Sequence, residues 1–371
     1  MGFAALERFT VKCAYPNPAI DHHGKRAAMP IGECLAPNIQ HGKWTRFLAF
    51  LCGVSVTLCF SKLQSSRASS SSAPDQTSVI VVVGAAGEEE FGKQFKEWAG
   101  LWEKACQSAG AKWQPIGLEP AHGTNDLAEL KKTIEAEPKD GLNELWLVLL
   151  GHGTFDGREA RFNLRGPDLV PSELAEWLKP IRRPVAILNT ASASAPFINA
   201  LSAPGRVIVS ATRSGHEQNY ARLGKYLSEA LASTDADLDK DGQVSILELF
   251  LTAASGARQF YETEGRLATE HALIDDNGDG LGTPADWFRG VRATKQAREG
   301  AALDGLFAHQ FHLIRSEQEK KLPPEIRAKR NELEREIARL REQKKQMTEE
   351  EYYRRLEELL VKLAGIYENN H

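Results

Sequence analysis

The chain has 371 residues, 42% hydrophobic and 26% charged, an ordinary globular composition long enough for one large domain or two modest ones. A net charge of -4 and a pI of about 6.2 exclude a global basic footprint for nucleic acid. Of the cysteines Cys13, Cys34, Cys52, Cys59 and Cys106, only Cys106 falls in the globular part, which excludes a disulfide framework or a multi-cysteine zinc site there.

Residues 1–62 read as a leader. Within it the apolar run 47–60, FLAFLCGVSVTLCF, follows Lys43 and Arg46, the form of a signal-peptide core. The run is short for a membrane-spanning helix, which needs about 20 apolar residues. The expectation is export, as a periplasmic or extracellular protein or one held by a short membrane anchor. Met29 is an alternative start that gives a more usual positive segment. A Ser-rich linker, 63–77, comes next.

The folded part, 78–310, opens with SVIVVVGAAG, a β-branched run ending in glycines, as a buried parallel strand does. The GAAG lacks the full glycine fingerprint and the phosphate-binding lysine, so it reads as a tight turn. Phe91, Phe95, Trp98, Leu101 and Trp102 then keep helical spacing. A strand near Trp113 to Ile116, a helix near Leu127 to Ile134 and the strong strand ELWLVLLGHG follow. A helix near Leu174, strand PVAILNT, a helix from Phe197 to Leu201 and strand GRVIVSAT complete the pattern. Alternating strands and helices predict an α/β fold, a mostly parallel sheet flanked by helices, with ligands at the C-terminal strand ends.

DLDKDGQVSILE carries an EF-hand spacing. Asp237, Asp239 and Asp241 offer carboxylates at the first, third and fifth positions, and Gly242 permits the sharp turn. Gln243 offers its backbone carbonyl, Ser245 acts through water, and Glu248 closes the loop bidentately. Calcium is a hard cation that takes roughly six to eight oxygens, which this spacing supplies. A second loop, 275–286, places Asp275, Asn277, Asp279, Leu281 and Asp286 at corresponding positions. There Gly282 replaces an apolar residue and Pro284 disturbs the outgoing helix, so an Asx-rich turn is the competing reading.

Residues 323–368 are rich in Glu, Arg, Lys and Leu. Ile326, Leu333, Ile337, Leu340 and Met347 keep heptad-like spacing. Thr348 with Glu351 forms a capping box before a second helix. The favoured reading is a helical hairpin packed on the main domain; the alternative is a coiled coil that assembles homo-oligomers.

His152-Gly153 just past one strand and TASASAP just past the next resemble, in this order, the caspase and legumain group of cysteine peptidases (clan CD). The resemblance covers roughly 78–261. It implies a caspase/legumain-like sheet, a cleft for a protein or peptide ligand, His152 as the catalytic imidazole and the Gly153 amide as an oxyanion donor. It places the nucleophilic Cys on Ala191, so this chain departs from the family at the residue that does the chemistry; a shift of one position gives Ser192. Two readings follow. One is a calcium-binding pseudoenzyme that binds or scaffolds. The other is a hydrolase with Ser192 or Ser194 as nucleophile, which needs a well-placed base, with Asp156 the nearby carboxylate. The bland alternatives are a turn histidine at His152 and helix N-capping by Ser192 and Ser194 before Pro196.

Overall fold

The computed structural model describes residues 76–118 and 125–368. The expected leader, its apolar run 47–60 and the linker up to residue 75 lie outside the described residues. Among the described residues no helix is long and apolar enough to cross a membrane.

Strand β1 (Ser78–Val83) is buried along its whole length. Its side chains alternate between two cores. Val79, Val81 and Val83 meet Phe95, Trp98 and Trp102 of helix α1 (Glu89–Ala109). Ile80 and Val82 face the opposite core, with Leu130 and Ile134 of α2 (Asp126–Ala136). Burial on both faces explains why these strands read as continuous apolar runs rather than alternating ones. Each such side chain contributes about 1.5–3 kcal/mol of burial free energy. β2 (Lys112–Ile116) and β3 (Leu145–Leu150) flank β1, both parallel to it.

A short antiparallel pair, β4 (Gly153–Phe155) and β5 (Ala160–Phe162), leaves the end of β3. Then come α3 (Pro171–Leu178), with Pro171 in its first turn, β6 (Val185–Asn189), α4 (Ala195–Leu201) and β7 (Arg206–Ser210). Helices α5 (Leu223–Ala230) and α6 (Ile246–Thr263) join α1 on its face of the sheet, while α3 and α4 join α2 on the other. Two short strands close the sheet, β8 (Leu273–Asp275) and β9 (Thr283–Pro284). The order is β2-β1-β3-β6-β7-β8-β9, parallel as far as β7 and antiparallel after it. The predicted mostly parallel sheet with helices on both faces is therefore present. The antiparallel edge and the β4–β5 pair were not expected. The chain steps outward from β1 to β2 and then crosses back to β3, so the switch point lies between the ends of β1 and β3, where open α/β sheets place ligands.

At the opposite end of the strands Arg183 is buried. It donates to the carbonyls of Asn143, Gln76 and Glu144 and pairs with buried Glu137 at 3.4 Å. Glu144 also pairs with Arg315 at 2.6 Å, tying the sheet to the C-terminal part. After α7 (Glu317–Lys321), helices α8 (Pro324–Glu342) and α9 (Glu349–Glu368) form the expected hairpin. Leu333, Ile337 and Leu340 of α8 are buried, as are Tyr352 and Ile366 of α9. The hairpin packs on the main domain: Arg330 pairs with buried Glu319 at 2.6 Å, and Arg335 donates to Gln310 Oε1 at 2.6 Å. Of the capping box, the Thr348 half forms, with the Glu351 amide donating to Thr348 Oγ1 at 3.2 Å; the Glu351 carboxylate pairs with Arg355 instead.

Candidate functional site

β3 and β6 are adjacent and parallel, so the two motifs that follow them come together. Gly153 is what lets them touch. A Cβ there would lie 2.1 Å from the Ser192 carbonyl oxygen. The Gly153 N–H donates to Ser192 Oγ at 3.2 Å, and the Ser192 hydroxyl donates to the Gly153 carbonyl at 3.0 Å. Ser192 is buried and held between the two polar groups of one glycine. Ala191, at the expected Cys position, is buried, and its amide donates to Asn189 Oδ1 at 3.2 Å. Ala193 follows in the left-handed region at φ 54, an uncommon conformation for a residue with a Cβ, and its amide donates to the Glu217 carbonyl.

His152 is half-buried at the switch point. Its Nε2 lies 3.2 Å from the Ala86 carbonyl in the turn after β1. Phe91 and Phe95 contact the ring edgewise at 4.8 and 5.2 Å, and Tyr220 lies at 5.8 Å. Burial holds the imidazole below its usual range, with the Ala86 hydrogen bond acting the other way. Among the described residues, no hydrogen bond joins His152 to Ser192. Asp156 does not orient His152 either: it accepts from the Arg158 and Glu159 amides and pairs with Arg161 at 3.0 Å. The aromatic surround was missed from sequence. The spacing of Phe91 and Phe95 one turn apart on α1 is the signal that could have found part of it.

Ser194 occupies the N-cap position of α4, as the bland reading expected, but makes no cap hydrogen bond. Its hydroxyl oxygen accepts from the Ala211 and Thr212 amides at the end of β7. Thr212 Oγ1 takes the capping role and accepts from the Ala195 amide at 3.1 Å. Ser192 lies before the helix and is engaged by Gly153, so neither serine caps α4 through its side chain.

In the first Asp-rich loop, α5 ends at Ala230 and turns over 231–236 lead to Asp237. One carboxylate oxygen each from Asp237, Asp239 and Asp241 fall within 4.8 Å of one another. Lys240 and Gly242 both take positive φ, 65 and 88, which curls the loop inward. Asp237 accepts from the Asp241 and Gly242 amides. The Gln243 side chain donates to Asp241 Oδ2 and accepts from the Ser316 amide. Glu248 is buried. Its Oε1 accepts from the Leu238 and Asp239 amides, and its Oε2 from the Ser245 amide and hydroxyl. Ser245 caps α6 in return by accepting from the Glu248 amide, completing a capping box inside the loop. Ser245 bridges His312, and the Ile246 amide donates to the Phe311 carbonyl at 3.0 Å. The donor set of aspartates, one glutamate and a backbone carbonyl suits a hard cation.

The second loop is arranged differently. Asp275 ends β8 and accepts from the Gly278 and Gly280 amides. Asn277 and Asp279 form Asx turns onto the Asp279 and Leu281 amides, and Asp279 Oδ2 is buried without a partner among the described residues. Thr283–Pro284 pair back as β9, and a 3-10 turn follows rather than a helix. Asp286 is exposed and lines a cleft of about 520 Å³ with Arg213, Arg258, Glu270 and Trp287. Among the described residues, no group of three carboxylates within 4.8 Å includes it.

The carboxylates that do hold this loop are Asp276 and Asp304, which sequence reasoning missed. Asp304 Oδ1 accepts from the Asp276 and Asn277 amides, while Asp276 accepts from the Gly305 and Ala308 amides. Burial first, and then the Asp276 charge, pushes the Asp304 carboxyl up to about 8. An unfolded Asp titrates near about 4, so the folded state keeps a proton that the unfolded chain loses above that pH. Stability from this pair is complete at acid pH and falls as pH rises through about 8. In EDTA the melting temperature should fall between acidic and mildly alkaline pH. Asp304→Asn should flatten that slope; an unchanged slope would remove this account.

No family model matches the chain, and no curated relative matches it. Solved structures similar to it include the initiator caspase Dronc of Drosophila, at 9% identity and TM-score 0.39, covering 54% of this chain and 80% of that one. Caspase-1 of Spodoptera frugiperda matches at 14% identity and TM-score 0.35, covering 54% and 86%. A Geobacter sulfurreducens protein matches at 10% identity and TM-score 0.33, covering 54% and 92%.

Proposed function

We propose that this chain is an exported, calcium-binding homologue of caspase/legumain-type peptidases that uses its cleft to hold a protein or peptide instead of cutting it. The observation that carries the reading is the state of the would-be nucleophile position. Ala191 has no nucleophile, and the Ser192 hydroxyl donates its proton to the Gly153 carbonyl while His152 is engaged with Ala86. A serine is a poor nucleophile without a base in reach. The thiol cannot stand in, because Cys106 is buried in α1 and burial pushes it up to about 12. The loop Asp237–Glu248 supplies the calcium ligands, and its position after β7 and α5 suits bracing of one cleft wall over sensing. Export rests on residues 47–60. Self-association through 323–368 is a separate proposal that an unchanged sedimentation mass on truncation before Pro323 would remove.

The experiment is a peptide-library assay on the full chain in calcium. The expected result is no turnover above the substrate-only rate. Turnover abolished by both Ser192→Ala and His152→Ala would overturn the binding reading in favour of a serine hydrolase.

A further inference from the structure

Two histidines reach the calcium-type loop from a segment that its motif does not contain. His309 Nε2 lies 2.9 Å from Asp239 Oδ2. One donor atom each from Asp239, Glu248 and His309 fall within 4.8 Å of one another. His312, three residues further along the chain and past the end of the 3-10 turn, is only 8% exposed, and its Nε2 is buried without a hydrogen-bond partner among the described residues. The two imidazoles are 6.4 Å apart, and both line a cleft of about 450 Å³ with Asp241 and Gln243. The Ile246 to Phe311 hydrogen bond and the Ser245–His312 bridge fix their backbone against the loop.

A buried ring nitrogen with no partner calls for an explanation, and a ligand that accepts its lone pair is one. The chemistry of the set also matters. Calcium prefers oxygen donors, whereas imidazole nitrogen suits zinc and its neighbours in the transition series.

We propose that this corner is a second cation site, in which His309, Asp239 and Glu248 bind a divalent ion of the zinc type and His312 is the further nitrogen donor. The set shares Asp239 and Glu248 with the calcium ligands, so the two ions exclude each other. A zinc-type ion therefore displaces calcium and takes nitrogen donors from the docked 309–312 segment in place of Asp237. The inference does not depend on calcium binding, because Asp237 and Asp241 are outside the nitrogen-containing set.

The test is calorimetric titration of the full chain with zinc chloride and, separately, with calcium chloride, together with the visible spectrum of the cobalt-loaded protein. His309→Ala should weaken zinc binding by more than about 100-fold, beyond the roughly 10–100-fold lost with an outer-shell partner. It should also weaken and shift the visible bands of four-coordinate cobalt, with calcium affinity held. Asp237→Asn should do the reverse, weakening calcium and sparing zinc. His309→Asp serves as a second variant, keeping a donor at this position while shifting the cobalt bands as oxygen replaces nitrogen. Zinc binding in the wild type without calcium binding would remove the calcium reading and support this one. No zinc binding, zinc binding insensitive to both His309→Ala and His312→Ala, or equal loss of both ions in Asp237→Asn would overturn it.

Discussion

Glu248→Ala should lower the melting temperature by roughly 10 °C even in EDTA, and should erase any stabilisation by calcium. The first effect follows from hydrogen bonds alone. The Glu248 carboxylate accepts from three backbone amides and one hydroxyl, which belong to Leu238, Asp239 and Ser245. Each buried donor left unpaired costs about 1–3 kcal/mol, and with water reaching some of them the sum is about 4 kcal/mol. The second effect is mass action. A cation that binds only the folded loop adds about 2.7 kcal/mol at a hundredfold excess over its dissociation constant. Glu248→Gln separates the two, because it keeps one acceptor oxygen while removing the charge. It should restore part of the EDTA melting temperature and none of the calcium increment. Thermal melts of the three proteins, each with and without calcium, check this. A wild type indifferent to calcium would remove the bracing role, and a Glu248→Ala protein that melts like wild type in EDTA would remove the hydrogen-bond account.

The strands were legible in sequence because burial on both faces leaves continuous β-branched runs, as in Ser78–Val83 and Leu145–Leu150. The hairpin was legible because Leu333, Ile337 and Leu340 repeat on one face. Strands β8 and β9 were not: at two or three residues they are too short for a period, and they are strands only because β7 offers an edge. That pairing also decides the second loop, since Thr283–Pro284 turn back into the sheet and carry Asp286 away from Asp275. The convergence of Asp237, Asp239 and Asp241 in the first loop follows from local spacing. His309 and His312 come from a distant segment that no local pattern links to it, so only the fold brings them there. The strand-end motifs were readable as a pair, but their closed hydrogen bonds were not. Whether a serine hydroxyl is free or held depends on a backbone carbonyl 39 positions away.

That closed contact yields the other large effect. Gly153→Ala should destabilise the protein by about 3 kcal/mol or more, because an added Cβ meets backbone rather than a side chain that can rotate aside. The clash is with the Ser192 carbonyl oxygen at 2.1 Å, and the Arg161 carbonyl oxygen lies at 3.1 Å. The methyl can be accommodated only by moving β4 and its turn off the β6–α4 turn. Ser192 then loses both Gly153 partners at once, and the buried turn carrying Ala193 at φ 54 loses its support. Ser192→Ala is the milder comparison. It leaves the Gly153 amide without its acceptor but adds no atoms, and should cost about 1–2 kcal/mol. Denaturant melts of the two variants should therefore rank Gly153→Ala well below Ser192→Ala. If both melt like wild type, the two strand-end turns do not hold each other in solution, Ser192 is free to move toward His152, and the hydrolase reading regains its nucleophile. If the ranking holds, the two strand-end turns are locked together by a backbone contact, and Ser192 stays held by Gly153 instead of turning to His152.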